Sequence, residues 1–179
     1  MKTPSVVETW GATPSEREAA YPCDELLDSP NVLFRAVDID APSALVFRWL
    51  CQLRKAPYSY DWIDNLGRRS PQQLIDGLDH LEVGQRFLIF RLVSFEEGTS
   101  ITLDSITALF GRVVITYRVI PVEADRSRLV VKLIFSTPPG PYGWAMRRIL
   151  PAADLVMMRK QLLTWKALAE RDADRRATL

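Results

Sequence analysis

The sequence PAADLVMMRKQLLTWKALAERD occupies residues 151–172 and predicts one long amphipathic helix. Its apolar residues recur at alternating intervals of three and four, which places them on one stripe of a helix. The stripe consists of Leu155, Met158, Leu162, Trp165 and Ala169, with Met157 and Leu168 widening one flank. Pro151 fits the first helical turn, where a missing backbone N–H costs nothing. Such a stripe must be covered, and the preceding part of the chain offers strand-like segments that can cover it.

Five segments have the composition of β-strands, at residues 32–39, 85–95, 99–107, 112–122 and 128–136. Apolar residues alternate with other residues in the last two segments. One face of the fourth segment carries Val113, Ile115, Tyr117 and Val119. One face of the fifth carries Leu129, Val131, Leu133 and Phe135, opposite Arg128, Lys132 and Ser136. This period of two predicts an antiparallel sheet with one covered face.

Two short helices are predicted between the first strand and the second. The first begins near Pro42, with Asp40 or Ser43 as its cap, and ends near Leu53. Its buried face is predicted to comprise Leu45, Val46, Trp49, Leu50 and Leu53. The second spans about 61–67, and Gly67 is its expected C-cap. The predicted class is α+β: a curved antiparallel sheet wrapped around a long C-terminal helix.

The predicted domain covers residues 31–172, between an N-terminal arm (1–30) and a C-terminal tail (173–179). The arm contains Trp10 and Tyr21, so we expect it to pack on the domain. One helical turn is expected there near Ser15, with Glu18 as its capping-box partner. The loop 138–143 ends the sheet and is either a gate hinged at glycines or a turn stiffened by prolines.

Composition excludes several classes of function. The chain has 179 residues, 47 % hydrophobic and 25 % charged, as a single globular domain does. A net charge of +1 without a basic stripe argues against nucleic acid as a partner, and the pair Arg147-Arg148 is interpreted as a solvated turn. Cys23 and Cys51 make no disulfide framework. Without a signal-peptide pattern or a run of ~20 apolar residues, we predict a cytoplasmic protein with no integral membrane segment.

Several motifs then appear in a characteristic order. They are Trp10–Glu16 with Pro22–Leu26, Ile39–Pro42 leading into Val46–Gln52, Tyr58–Trp62 with Asn65–Gly67, and Asp154–Leu163 with Ala169-Glu170. Together with the element order, they resemble a bacterial branch of the START/polyketide-cyclase (SRPBCC) superfamily. That superfamily has the helix-grip fold and includes the birch-pollen-allergen-like proteins. The segment Arg54–Pro57 departs from the pattern, because this branch usually has a glycine before the Tyr58 motif.

The resemblance implies a binding protein for a small hydrophobic or amphipathic molecule, such as a lipid, polyketide or aromatic compound, held between sheet and helix. Some members catalyse cyclisation or dehydration, so a cyclase/dehydratase-type enzyme is the alternative. That alternative requires His80, Arg91 and Tyr60 to meet in one pocket. A third hypothesis is an interaction module with a filled core. The sequence leaves the oligomeric state open.

The candidate cavity residues are aromatic side chains, methionines and one arginine. They are Trp49, Tyr58, Tyr60, Trp62, Phe90, Arg91, Tyr117, Phe135, Met157, Met158 and Trp165. Arg91 is the one charged residue among them, and on a continuous strand it would share a face with Phe87, Ile89, Val93 and Phe95. Either that face is the outer one, or Arg91 reaches into the cavity toward an anionic group.

No catalytic residue, metal site or cofactor is predicted. His80 is the sole histidine, interpreted as a polar loop residue or as an acid/base at the cavity mouth. Asp61 and Asp64 share a helix face, where they could form an acid/base pair; alternatively, Asp61 is an N-cap or first-turn residue favoured by the helix dipole. The sequence contains no Gly-rich phosphate loop, no HExxH and no CxxC.

Overall fold

The computed structural model describes residues 5–59, 69–105 and 111–178. Three short helical elements open the chain: α1 (Val6–Thr9), α2 (Pro14–Glu18) and a 3-10 helix, η1 (Pro22–Glu25). Strand β1 (Val32–Ile39) leads into α3 (Ser43–Cys51) and a second 3-10 helix, η2 (Gln52–Arg54). The later strands are β2 (Arg86–Phe87), β3 (Phe90–Glu96), β4 (Ser100–Ser105), β5 (Val113–Pro121) and β6 (Ser127–Phe135). The long helix α4 (Pro141–Ala177) follows.

The described strands form one sheet in the order β1-β6-β5-β4-β3-β2, and every neighbouring pair is antiparallel. The register pairs Ile115 with Leu133 and Arg35 with Val131. Alternation along each strand therefore builds one face that turns toward α4 and one that turns away. The predicted α+β fold, with an antiparallel sheet and a long C-terminal helix, is confirmed.

The core lies between the inner face of the sheet, α3 and α4. All five apolar residues predicted on the buried face of α3 are buried, and so is most of the α4 stripe: Met158, Leu162, Trp165, Leu168 and Ala169. The cap of α3 was predicted incorrectly, because Pro42 occupies the N-cap position and makes no side-chain hydrogen bond there. None of the helices in the described ranges combines the length and apolar character that crossing a membrane requires.

Part of the N-terminal arm packs on the outer face of the sheet. Tyr21 and Cys23 are buried there against sheet residues such as Phe34. The backbone N–H of Cys23 donates to Oγ1 of Thr116 at 3.2 Å, which joins the arm to β5. The capping box of α2 uses Thr13 and Glu16 rather than the predicted Ser15 and Glu18, since Pro14 begins the helix.

The predicted strand 85–95 is two strands joined by a turn at residues 88–89. Phe87 opposes Phe90 across this turn, and Leu88 has a left-handed backbone with φ 56°. Arg91 is therefore not in line with Phe87, and its side chain is exposed.

Helix α4 begins ten residues before its predicted start, at Pro141, so Pro151 lies inside it. Gly143 is buried in the first turn, where a Cβ atom would lie 1.7 Å from the carbonyl oxygen of Pro138. This close approach fixes the start of the helix. The segment 141–143 is thus helical rather than a hinged gate, and the Arg147-Arg148 pair lies on the helix rather than in a turn. The second short helix predicted at 61–67 lies outside the described residues.

Candidate functional site

Four polar side chains, three of them buried and one 11 % exposed (Asp154), lie between the sheet and α4. We call them the inner polar cluster: Arg35, Tyr117, Asp154 and Gln161. Arg35 alternates with Leu33 and Val37 on β1, so the strand places it on the inner face. Asp154 and Gln161 are seven residues apart on α4, which puts them on the same side of the helix.

Arg35 and Asp154 form a buried ion pair, with 2.7 Å between Nη2 and Oδ2. Arg35 is 1 % exposed and also donates to the carbonyl oxygens of Phe34 (2.7 Å) and Pro151 (3.2 Å). Burial raises the pKa of Asp154 to about 6, although the positive charge of Arg35 acts to lower it. Burial likewise lowers the pKa of Arg35. Desolvation thus outweighs the attraction within the pair, as is common for ion pairs removed from water.

Tyr117 connects β5 to α4. Its hydroxyl donates to Oε1 of Gln161 at 3.2 Å and lies 3.8 Å from the sulfur of Met158. The amide of Gln161 in turn donates to the carbonyl oxygen of Pro57. Burial, and secondarily the negative charge of Asp154, raise the pKa of Tyr117 above its ordinary value. Tyr117 therefore remains a neutral hydrogen-bond donor in the physiological pH range.

Aromatic rings from three parts of the chain adjoin the inner polar cluster. The ring centroids of Trp49 and Tyr58 are 6.1 Å apart, as are those of Tyr58 and Trp165. The ring of Tyr117 lies 5.9 Å from that of Trp165. Tyr58 has φ 55°, a left-handed conformation that is unfavourable for a bulky side chain. The backbone is therefore strained at the ring that touches both tryptophans.

Both indole N–H groups in this region are buried without an acceptor among the described residues: Nε1 of Trp49 and Nε1 of Trp165. The Nε of Arg35 is likewise buried without a hydrogen-bond acceptor among the described residues. A buried donor without a partner costs about 1 to 3 kcal/mol, and native structures leave few such groups. These unpaired donors mark the inner face as the candidate binding site.

Several predicted cavity residues meet at this site, namely Trp49, Tyr58, Tyr117, Met158 and Trp165. Phe135 is buried on the inner face of β6, and Phe90 is half-buried against the same core. Tyr60 and Trp62 lie outside the described residues, as do Asp61 and Asp64.

Three other predicted residues are placed elsewhere by the structure. Arg91 is exposed on β3, so of its two predicted positions the outer one is observed. Met157 is 38 % exposed and does not widen the buried stripe. His80 is exposed in the loop before β2, where its backbone carbonyl accepts from Arg54. His80 and Arg91 therefore form no common pocket with the inner polar cluster.

Arg35 and Asp154 are absent from the residues predicted for the site, although the sequence pattern contains a signal for both. The alternation of Leu33, Arg35 and Val37 places the arginine on the apolar face of the first strand. Asp154 precedes Met158 by four residues, so it lies on the predicted apolar stripe. A positive and a negative residue on two facing apolar surfaces predict a buried pair.

A concave region lies on the outer face of the sheet. This groove of about 480 Å³ runs between η1 and β3, and its walls include Tyr21, Leu26 and Phe95. No residue of its walls is among the described residues with an unpaired buried polar atom. The inner face is therefore the stronger candidate site.

Comparison with known proteins supports the fold. No family model matches this chain, and no curated protein sequence matches it. A structural-genomics protein from Chromobacterium violaceum is 15 % identical, with a TM-score of 0.52 over 79 % of this chain and 99 % of its own.

Two di-domain aromatase/cyclases are similar at the same level. BexL is 15 % identical with a TM-score of 0.52, covering 78 % of this chain and 46 % of its own. StfQ of the steffimycin biosynthetic pathway is 11 % identical with a TM-score of 0.52, covering 80 % and 51 %. This chain thus spans about half of each di-domain protein. At these identities the likeness establishes the fold, and the resemblance to the helix-grip proteins is confirmed at that level.

Proposed function

We propose that this protein binds a small, largely apolar molecule that carries a hydrogen-bond acceptor, between the inner face of the sheet and α4. The observation that supports this most directly is the pair of buried, unpaired indole N–H groups of Trp49 and Trp165. An acceptor on a ligand, such as a carbonyl or hydroxyl oxygen, satisfies donors that the described residues leave unpaired.

The chemistry of the surroundings agrees with such a ligand. The aromatic rings and Met158 supply apolar contact, and methionine adapts to irregular shapes. The Arg35–Asp154 pair adds polar groups at one end of the site. Lipids, polyketides and aromatic compounds all combine an apolar body with oxygen acceptors, and the fold shared with aromatase/cyclases is compatible with this class.

The rings of Trp49, Tyr58 and Trp165 are in contact, so a ligand must displace at least one of them. Tyr58 is the ring we expect to move. Its left-handed backbone stores strain that is released when the residue relaxes. Binding energy is then offset only in part by the loss of ring contacts.

An acid–base reaction on the bound molecule is a second candidate function. It rests on Asp154, because a carboxyl with its pKa raised to about 6 exchanges a proton near neutral pH. The neighbouring Arg35 and Tyr117 are positioned to stabilise negative charge. A cyclase or dehydratase of this kind loses turnover in Asp154→Asn and retains ligand binding.

The first test is native mass spectrometry of the purified protein, with solvent extraction of whatever co-purifies. The second compares naphthalene with 1-acetylnaphthalene by thermal shift and tryptophan fluorescence, because the two probes differ by one carbonyl-bearing group. We expect tighter binding of the acetyl compound. Trp165→Phe should weaken that binding about five- to tenfold, as for one lost hydrogen bond, and leave naphthalene binding less affected.

Trp144→Phe is the matched control, since Trp144 is exposed on α4 and its replacement should change neither affinity. A protein that co-purifies with nothing and shows no shift with either probe overturns the proposal. That result favours an interaction module whose core is filled by its own rings.

A further inference from the structure

Helix α4 carries an unusual share of exposed apolar side chains. Half of the large hydrophobic residues that are exposed in the described ranges lie on this one helix: Tyr142, Trp144, Ile149, Val156, Met157 and Leu163. Isolated exposed apolar residues are normal on protein surfaces, but a contiguous group marks an interaction site.

Four of these residues recur at every seventh position: Tyr142, Ile149, Val156 and Leu163. Seven residues make nearly two helical turns, so the four side chains form one stripe about 32 Å long. The stripe lies opposite the buried one, since Val156 precedes the buried Met158 by two residues, or about 200°. Ile149 and Val156 are 57 % and 54 % exposed, so the stripe is open to solvent.

Cations accompany the stripe, and exposed carboxylates do not. Arg159 and Lys160 follow Val156 by three and four residues and lie beside the stripe, whereas Arg147 and Arg148 are exposed on other sides of α4 nearer its start. None of the four pairs with a carboxylate among the described residues; Arg148 instead lies 5.2 Å from the ring of Trp144.

The acidic residue in this part of α4, Asp154, is buried against Arg35. From Pro141 to Ala169 the charged side chains that α4 exposes are therefore all cationic, and two of them lie beside the apolar stripe. This is the composition of helices that lie in the interface of an anionic membrane.

We propose that the outward face of α4 docks on a membrane surface that contains anionic lipids. Aromatic and aliphatic side chains of the stripe enter the boundary between headgroups and acyl chains, and the cations contact the phosphates. A second copy of this chain fits the face less well, because self-pairing places unpaired cations beside unpaired cations. The proposal does not depend on the ligand site, which lies on the opposite side of the helix.

Vesicle co-sedimentation tests this proposal with the full-length protein. We expect binding to vesicles of phosphatidylcholine mixed with phosphatidylglycerol, no binding to pure phosphatidylcholine, and weaker binding at high salt. Val156→Glu should reduce the affinity for the mixed vesicles about tenfold or more, since it removes an inserted side chain and adds a negative charge. Lys160→Gln should reduce it roughly fivefold, as for one lost cation.

Val83→Glu is the matched control, because Val83 is equally exposed in the loop before β2 and should leave vesicle binding unchanged. Urea unfolding of each variant verifies that the fold is intact. Failure of the wild-type protein to sediment with mixed vesicles overturns the proposal, as does equal binding by Val156→Glu. Sedimentation velocity measures the oligomeric state of the wild type and of Val156→Glu. If the wild type is a dimer and Val156→Glu is a monomer, the face mediates self-association instead, and the proposal is overturned.

Discussion

The two faces of α4 differ from each other in a way that locates function. On the inward face, polar groups such as Arg35 and Asp154 are buried among apolar ones. On the outward face, apolar groups such as Ile149 and Val156 are exposed among cations. Charged side chains are usually exposed and apolar ones usually buried, so a buried charge and an exposed apolar stripe are both exceptions. Such exceptions indicate functional sites more strongly than ordinary burial does.

The two exceptions differ in their energetic consequences. The buried ion pair contributes little net stability, because desolvation opposes its attraction, but removing one partner leaves a buried charge alone. The outward stripe contributes almost nothing to the stability of the fold, because its side chains stay in water. Substitutions on the inward face should therefore destabilise the protein, and those on the outward face should not.

The largest expected effect is a difference in stability between substitutions at a buried and an exposed arginine. Arg35→Met leaves the carboxylate of Asp154 buried without its partner and should lower the free energy of unfolding by about 3 to 5 kcal/mol. Arg91→Met alters an exposed side chain and should stay within about 0.5 kcal/mol of the wild type. Urea unfolding followed by circular dichroism measures both.

The double variant Arg35→Met/Asp154→Leu is the control for the pair. It removes both charges and should recover most of the lost stability, since apolar replacements of buried pairs are often neutral or stabilising. Small and equal losses in Arg35→Met and Arg91→Met would show instead that the pair remains solvated.

A smaller difference in stability is expected between substitutions at two neighbouring leucines of α4. Leu162 is fully buried, whereas Leu163 is 38 % exposed. Leu162→Ala should lower the free energy of unfolding by about 3 kcal/mol, because it leaves a cavity in the core. Leu163→Ala makes the same chemical change on the outward side and should cost about 0.5 kcal/mol or less. Similar losses at both positions would contradict the assignment of the two faces.

The inward face of α4 was predictable from the sequence because burial follows helical periodicity. The three- and four-residue spacing of Met158, Leu162 and Trp165 identified the buried stripe, and all three are buried. Strand alternation likewise identified the inner face of β5 and β6. The inward faces of these elements were predicted correctly because the local periodicity agrees with the tertiary packing there.

The structural predictions that were wrong have specific physical causes. The turn between β2 and β3 contains Leu88 and Ile89, without glycine, asparagine or aspartate, so no turn residue revealed it. The start of α4 was misplaced because two prolines, Pro141 and Pro151, both fit a first turn by local rules. The close approach of Gly143 to Pro138 is a tertiary contact that the sequence alone does not display.

The candidate site was only half predictable for a related reason. Aromatic residues such as Trp49 and Tyr117 were identified by type, and the structure brings them together. The relevant arginine was sought at Arg91, where the unseen turn reverses the strand, rather than at Arg35. The unpredicted turn between β2 and β3 is therefore the reason that the site arginine was predicted at the wrong position.

The smallest of the predicted stability effects is a pH dependence that Asp154 introduces. Burial raises its folded-state pKa from 3.8 to about 6, so between these pH values the folded protein retains a proton that the unfolded chain releases. The contribution of Asp154 to the free energy of unfolding should therefore fall as the pH rises through this window. The contribution of this group is at most about 2 to 3 kcal/mol, by the free-energy equivalent of a pKa shift.

Urea unfolding across this window, compared between the wild type and Asp154→Asn, isolates that contribution. The groups facing Asp154 are Arg35 from β1 and Tyr117 from β5. Neither titrates here, because guanidinium stays charged in proteins and burial keeps the phenol neutral. The Asn variant should be less stable overall but should lose the descending part of the profile. A difference between the wild type and Asp154→Asn that instead rises between these pH values would mean that Arg35 holds the carboxylate ionised, and that attraction rather than desolvation dominates the inward face.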